Sequence, residues 1–207
     1  MQVGSHIQQI KQGGCISNFV YLAVNYPIRV RRLCFVFFSF LLLSAGANGQ
    51  ADNQAEQAVA HTKVIYLYNF TKFVEWPPEY KQGDFVIGVL NASPTLLNEL
   101  NKLAAAKTAG NQKFVIRNYK SVNEIDKCNI LFIPENSNSL LAEALKKIHG
   151  QSTLVITEGE GDARKGSAIN FIWKDNKQAF ELNKSNAEKN HLVVSSSLKT
   201  LAAINIE

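Results

Sequence analysis

Cysteine is scarce in this chain of 207 residues, which contains only three. That number excludes the disulfide-dense scaffolds of small secreted domains. Only Cys128 lies beyond residue 49, and one cysteine cannot form a bridge within its own chain. The apolar residues NILFIP that follow it predict a buried free thiol. A bridge to another chain and a reactive thiol are the alternatives.

Acidic residues are absent from the first 49 positions, which hold only the basic residues Lys11, Arg29, Arg31 and Arg32. Beyond them, 18 basic residues face 17 acidic ones, so the net charge of +5 and the pI of about 9.1 come mostly from the first quarter. The rest of the chain has almost no excess of positive charge with which to bind phosphates. We therefore expect no nucleic-acid partner.

A long apolar run is missing as well. The strongest run, LCFVFFSFLLL, covers residues 33–43, whereas a membrane-spanning helix needs about 20 apolar residues. Three arginines precede it and small residues follow, with an A-x-A site at 45–47, which is typical of a secretory signal peptide. We predict a cleaved signal peptide over residues 1–49 and export to the periplasm; an uncleaved anchor is the alternative. The part before the run is long for a leader, so a start at Val30 is a further hypothesis.

The residues after position 49 contain no linker rich in proline, glycine or serine, so we predict a single domain over residues 50–207. Residues 55–75 lack glycine and proline and repeat apolar side chains at helical spacing. This pattern predicts an amphipathic helix that ends before Pro77 and Pro78. The remaining predicted elements are strand 84–90, helix 94–105, strands 114–116 and 129–133, helix 139–148, strand 153–157, a hairpin of 167–173 with 178–182, and a helical or mixed segment 185–203.

The alternation of strands and helices predicts an α/β fold. A mostly parallel central sheet would have helices on both faces, giving three layers. The hairpin near the C-terminus would add an antiparallel edge.

Motifs that carry chemistry are missing. The chain has no G-x-G-x-x-G, no phosphate-binding G-x-x-x-x-G-K-[ST] and no G-x-S-x-G. The acidic residues of EGEGDARKG lack the glycine and glutamate that a calcium loop requires at its sixth and twelfth positions. No histidine has the spacing of a zinc site. We therefore predict no catalytic residue, no metal and no cofactor.

Aromatic residues, by contrast, are dense in YLYNFTKFVEWPP. They point around more than half of a helix circumference, so one buried face does not use all of them. A fully buried helix is one interpretation. The other is that Tyr66, Phe70, Phe73 and Trp76 bind a partner, since interfaces favour aromatic residues. Trp173 follows a strongly apolar strand, and we expect it to be packed in the core.

Four segments in order resemble the YfiR family of exported bacterial proteins: AVAHTKVIYLYNFTKFVEWPP, CNILFIP, TLVITEGEGDARKGSAINFI, and FELN followed by SSSLKTLA. The family-like positions are Phe73, Trp76, Pro77, Cys128, Gly166, Asn170, Phe171 and Asn183. Of the cysteines in the founding member's disulfides, only Cys128 has a counterpart here, so control through an intrachain bridge is not expected. We expect Asn170 and Asn183 to form backbone hydrogen bonds at strand ends.

The resemblance implies a periplasmic α/β protein that tends to form homodimers. It further implies a non-catalytic signalling regulator that represses the periplasmic sensor domain of an inner-membrane diguanylate cyclase or sensor kinase, and so controls cyclic di-GMP and biofilm growth. The alternative function is a periplasmic small-ligand receptor or enzyme. Its cleft would lie beyond the carboxyl ends of the parallel strands, near residues 158–165, where Arg164 or Lys165 meets an anion.

Overall fold

The computed structural model describes residues 48–206. The predicted cleavage site and the apolar run before it lie outside these residues. Asn53–Glu207 form one compact unit. That residues 50–207 form a single domain stays a prediction. The helices are α1 (Asn48–Phe73), α2 (Pro94–Ala106), α3 (Leu141–Lys147), α4 (Asp162–Lys165), α5 (Lys184–Lys189) and α6 (Ser196–Leu201). The strands are β1 (Val74–Glu75), β2 (Phe85–Leu90), β3 (Thr108–Ala109), β4 (Gln112–Tyr119), β5 (Ile130–Ile133), β6 (Leu154–Thr157), β7 (Ile169–Lys174), β8 (Lys177–Asn183), β9 (Val193–Val194) and β10 (Ile204–Ile206).

Eight of these strands form one sheet in the order β10-β8-β7-β6-β5-β2-β4-β3. The five central strands, β4-β2-β5-β6-β7, are all parallel. Their order is that of a doubly wound sheet, in which the chain first adds a strand on one side and then continues on the other. The prediction of a mostly parallel α/β sheet is confirmed.

The predicted hairpin is present, with β7 and β8 antiparallel and Lys174 opposite Lys177. Its two turn residues, Asp175 and Asn176, both have positive φ, of 50° and 57°. This is the backbone that a two-residue hairpin turn requires, and aspartate and asparagine tolerate it well. The hairpin is not the edge of the sheet, because β10 pairs with β8 in the parallel direction.

Alternate side chains of the central strands pack into two cores on opposite faces of the sheet. Ile130 and Phe132 of β5 face one core, whereas Leu131 and Ile133 face the other. The first core also includes side chains from α1, α2, α5 and α6, and the second includes side chains from α3. Helices therefore cover both faces, as the three-layer prediction requires.

Local signals set the ends of the helices. Ser93 accepts a hydrogen bond from the backbone N–H of Leu96 at 3.2 Å, and Pro94 opens α2, as expected of a serine cap followed by proline. Helix α1 ends at Phe73, two residues earlier than predicted. Val74 and Glu75 leave the helix to pair antiparallel with Val194 and Val193, a contact with a distant part of the chain that local spacing does not encode.

Candidate functional site

Two of the four aromatic residues predicted to bind a partner are buried inside the domain. Phe70 packs between Phe171 and Phe180, with ring centroids 6.0 and 5.2 Å away. Trp76 packs against Phe85 edge to face at 4.9 Å, and only 5% of its surface is exposed. The hairpin and β2 cover most of Phe70 and Trp76, and whether either residue contacts a partner stays a prediction.

The other two, Tyr66 and Phe73, are half-buried and line a groove along α1. The hydroxyl of Tyr66 donates a hydrogen bond of 3.0 Å to the backbone carbonyl of Gln178, which joins α1 to the hairpin. Whether Tyr66 and Phe73 bind a partner stays a prediction. Their edges remain accessible from the groove.

This α1–α6 groove has a volume of about 390 Å³ and runs between α1 and α6. Sequence reasoning missed its two most exposed apolar side chains, Ile65 and Leu201, which are 47% and 59% exposed. Ile65 lies one position from Val64, which is buried, and therefore points about 100° around the helix from the core face. The groove is lined by Thr62, Ile65, Tyr66, Asn69, Phe70, Phe73, Phe180, Leu198 and Leu201.

A second cavity, the β6–β7 cleft, lies at the carboxyl ends of the parallel strands. The pairing of β6 with β7 stops at Thr157 and Asn170, whereas β7 continues to Lys174 and leaves a gap beside it. The cleft has a volume of about 310 Å³. It is lined by Lys63, Glu135, residues 158–161, Asn170, Phe171, Ile172, Trp173, Gln178 and Glu181.

Neither Arg164 nor Lys165, the residues predicted to meet an anion, lines the β6–β7 cleft. Lys165 donates one hydrogen bond of 2.9 Å to the Asp162 carboxylate and another of 2.9 Å to the carbonyl of Glu160. It borders a neighbouring cavity together with Asp162 and Glu160. Arg164 is exposed on α4. The cleft itself presents carboxylates, so its charge is the opposite of what an anion requires.

A buried chain of polar side chains leads into the cleft. Asn170, which is fully buried, accepts a hydrogen bond from Thr157 at 2.8 Å and donates one of 2.9 Å to the Glu181 carboxylate. Asn170 therefore bonds to side chains, which corrects the expectation that it serves the backbone. Asn183 does serve the backbone: it donates to the carbonyl of Ala163 at 2.9 Å and accepts from the N–H of Asn186.

Trp173 stands at the rim of the β6–β7 cleft and is 62% exposed. The expectation of a packed core tryptophan is wrong, because β7 extends past the end of its pairing with β6 and carries Trp173 beyond that neighbouring strand. Its pairing partner in β8 is Gln178, which also lines the cleft.

The thiol of Cys128 and the hydroxyl of Ser195 have structural roles. Cys128 is a free, buried cysteine, as predicted, and burial raises the pKa of its thiol to about 12. Ser195 accepts a hydrogen bond from the N–H of Leu198 and caps α6. Among the residues that the structure describes, no three histidine, cysteine, aspartate or glutamate side chains converge to hold a metal ion.

No helix within residues 48–206 combines the length and the apolar character that crossing a membrane requires.

Comparison with known proteins places these features in a family. No curated protein matches the chain. A family model described as YfiR/HmsC-like matches residues 60–203, from the second half of α1 to the residue before β10. Proteins of this family are periplasmic and regulatory rather than catalytic. Because the match includes every strand of the central sheet except β10, as well as both cavities, the chain belongs to the YfiR/HmsC-like family.

Proposed function

We propose that this protein is a periplasmic, non-catalytic regulator. It binds the periplasmic domain of a membrane diguanylate cyclase, or of a sensor kinase, and holds that enzyme inactive. The observation that carries the proposal is the match of the YfiR/HmsC-like family to residues 60–203. The structural roles of Cys128 and Ser195 support it, since neither side chain is presented as a nucleophile.

The α1–α6 groove is the surface that we assign to the partner. Ile65 and Leu201 expose apolar area at its rim, and Tyr66 and Phe73 provide aromatic edges inside it. Apolar patches of this kind on a folded domain mark interaction sites more often than isolated apolar residues do. Phe70 forms the floor of the groove and Trp76 is absent from its lining, so the assigned surface differs from the aromatic set expected from the sequence.

Repression through this surface shifts the partner enzyme from its active to its inactive conformation. A regulator inhibits an enzyme only by as much as it binds the inactive conformation more tightly than the active one. Apolar side chains in a groove discriminate well between conformations, because a partner helix or loop that moves by a few ångströms no longer fills the groove.

The test uses a strain in which the gene is deleted and then restored as wild type or as a variant. Deletion raises cyclic di-GMP and the wild-type gene lowers it again. Ile65→Asp and Leu201→Asp each place a charge in the apolar contact, so cyclic di-GMP stays high. Because both side chains are exposed, the domain stays folded in both variants. Ala142→Asp is the matched control, since Ala142 is exposed on α3, and it restores repression.

Two results would contradict the proposal at different levels. Unchanged cyclic di-GMP on deletion, together with unchanged phosphorylation of the sensor kinases in the same strain, removes the regulatory function. Full repression by folded Ile65→Asp and Leu201→Asp proteins would show that the groove is not the partner surface, while the regulatory function would stand. Homodimer formation stays a prediction, which sedimentation of the purified protein tests directly.

A further inference from the structure

The β6–β7 cleft is independent of the groove assigned to the partner. It lies between α1 and the hairpin, beyond the carboxyl ends of β5 and β6, where ligands bind in open α/β sheets. Its volume of about 310 Å³ is at the lower end of the range for small-molecule sites.

The net charge of the cleft determines whether it binds a cation or an anion. Four carboxylates line it, those of Glu135, Glu158, Glu160 and Glu181, against the single ammonium of Lys63. That ammonium is already used, because Lys63 lies 2.5 Å from the Glu158 carboxylate. Glu135, Glu160 and Glu181 have no ion-pair partner within the described residues. The cleft therefore has an excess of negative charge.

One buried acceptor in the wall lacks a donor. Glu181 is 8% exposed, and one of its oxygens accepts a hydrogen bond from Asn170, whereas the other receives none from the described residues. A buried carboxylate without a cation is a costly arrangement. An ammonium ion in the cleft offers a donor to the free oxygen of Glu181.

Trp173 completes the site. Its indole is exposed at the rim, where an aromatic face attracts a cation or stacks on a flat apolar group. A bare metal ion is a poorer fit, because no three ligating side chains converge among the described residues. We propose that the β6–β7 cleft binds a small organic cation, a primary ammonium or an amidinium group carried on an apolar or aromatic body.

The test uses three probes of one shape: phenethylamine, which is a cation, 2-phenylethanol, which is neutral, and phenylacetate, which is an anion. Calorimetry with the purified exported form is carried out in phosphate buffer, since Tris is itself a primary amine. Phenethylamine binds saturably at millimolar concentration or below, and the other two do not. Binding also changes the emission of the exposed Trp173; the second tryptophan of the chain, Trp76, is buried and does not respond.

Variants assign the binding to this cleft. Glu181→Gln keeps an oxygen for the Asn170 amide and loses the charge, and it weakens phenethylamine binding about tenfold or more, as expected for a hydrogen bond to a charged group. Trp173→Ala weakens binding and abolishes the change in emission. Arg164→Ala, outside the cleft, binds as the wild type does. Equal binding of phenylacetate or 2-phenylethanol, no binding of phenethylamine at millimolar concentration, or unchanged affinity in folded Glu181→Gln would each overturn the proposal.

Discussion

The indole N–H of Trp76 donates a hydrogen bond of 3.1 Å to the backbone carbonyl of Asn129, 53 positions further along the chain. Asn129 in turn binds both backbone groups of Val86: its N–H donates to the carbonyl and its side-chain oxygen accepts from the N–H, each at 2.9 Å. Its side-chain N–H donates to the carbonyl of Tyr80 at 3.1 Å. Trp76 therefore fixes the segment after α1 to the start of β2 and β5, which is a structural role.

Substitution of Trp76 is expected to destabilise the domain. Trp76→Phe loses the hydrogen bond and part of the packing on Phe85, and lowers the free energy of unfolding by about 1 kcal/mol or somewhat more; the Asn129 carbonyl still accepts from the N–H of Leu154. Trp76→Ala loses about 3–5 kcal/mol. Urea unfolding followed by circular dichroism measures both. A stable Trp76→Ala protein that no longer represses would instead restore Trp76 to the partner surface.

A carboxylate between α1 and α2 predicts how stability depends on pH. The Glu99 carboxylate lies 2.6 Å from the Lys102 ammonium and 2.9 Å from the His61 ring. These two hydrogen bonds lower the pKa of Glu99 from 4.5 to about 2, and the bond from Lys102 contributes most. The stabilisation is complete above pH 4.5 and is lost as the pH falls toward 2, because the protonated carboxyl no longer holds the two bases.

Glu99→Gln is the matching variant. Because Lys102 and His61 are both more than half exposed, we expect a loss of about 1 kcal/mol at neutral pH. The difference from wild type shrinks between pH 4.5 and 2, which thermal unfolding across that range measures. Glu143→Gln, an exposed glutamate on α3, serves as the control. A difference that grows as the pH falls would contradict the assignment.

The sequence allowed the central strands to be predicted because each is a short apolar run buried on both faces. Ile130 to Ile133 of β5 are all fully buried, and such runs are recognisable without knowledge of their neighbours. Strand β10 was missed, because three residues with no distinctive pattern form a strand only through pairing with β8. The edge of the sheet is thus a tertiary property.

The candidate sites were predicted less well than the fold, for a related reason. Helical spacing shows that the aromatic residues of α1 surround the helix, but it does not show that Phe171 and Phe180 of the hairpin cover Phe70. Trp173 follows an apolar strand in the sequence, yet its exposure depends on where the neighbouring β6 ends. Both the cover over Phe70 and the exposure of Trp173 depend on contacts between elements that are more than 10 residues apart.

The thiol of Cys128 is expected to be inert in the folded protein. Burial raises its pKa from 9.0 to about 12, so the thiolate fraction at neutral pH is about a thousandfold lower than for an unperturbed thiol, at tenfold for each pKa unit. Iodoacetamide labelling, read peptide by peptide with mass spectrometry, should be very slow at Cys128 until urea unfolds the domain. Rapid labelling under native conditions would indicate a reactive thiol and contradict the prediction.

Gly88 in β2 lies directly beneath the ring of Tyr119, and this contact predicts that the two residues are coupled. A Cβ atom built on Gly88 would lie 2.5 Å from Cε2 of Tyr119, and the ring is buried in the second core. Gly88→Ala is therefore expected to lower the free energy of unfolding by about 1–3 kcal/mol through overpacking. In a Tyr119→Leu background the same substitution should be much less harmful, because leucine has no ring edge at that position.

Urea unfolding of the four proteins gives the coupling energy, which exceeds about 0.5 kcal/mol for residues in contact. If the effects of the two substitutions on the free energy of unfolding are strictly additive, Gly88 and Tyr119 are not coupled. That result would contradict the prediction that the ring of Tyr119 is what excludes a side chain at position 88.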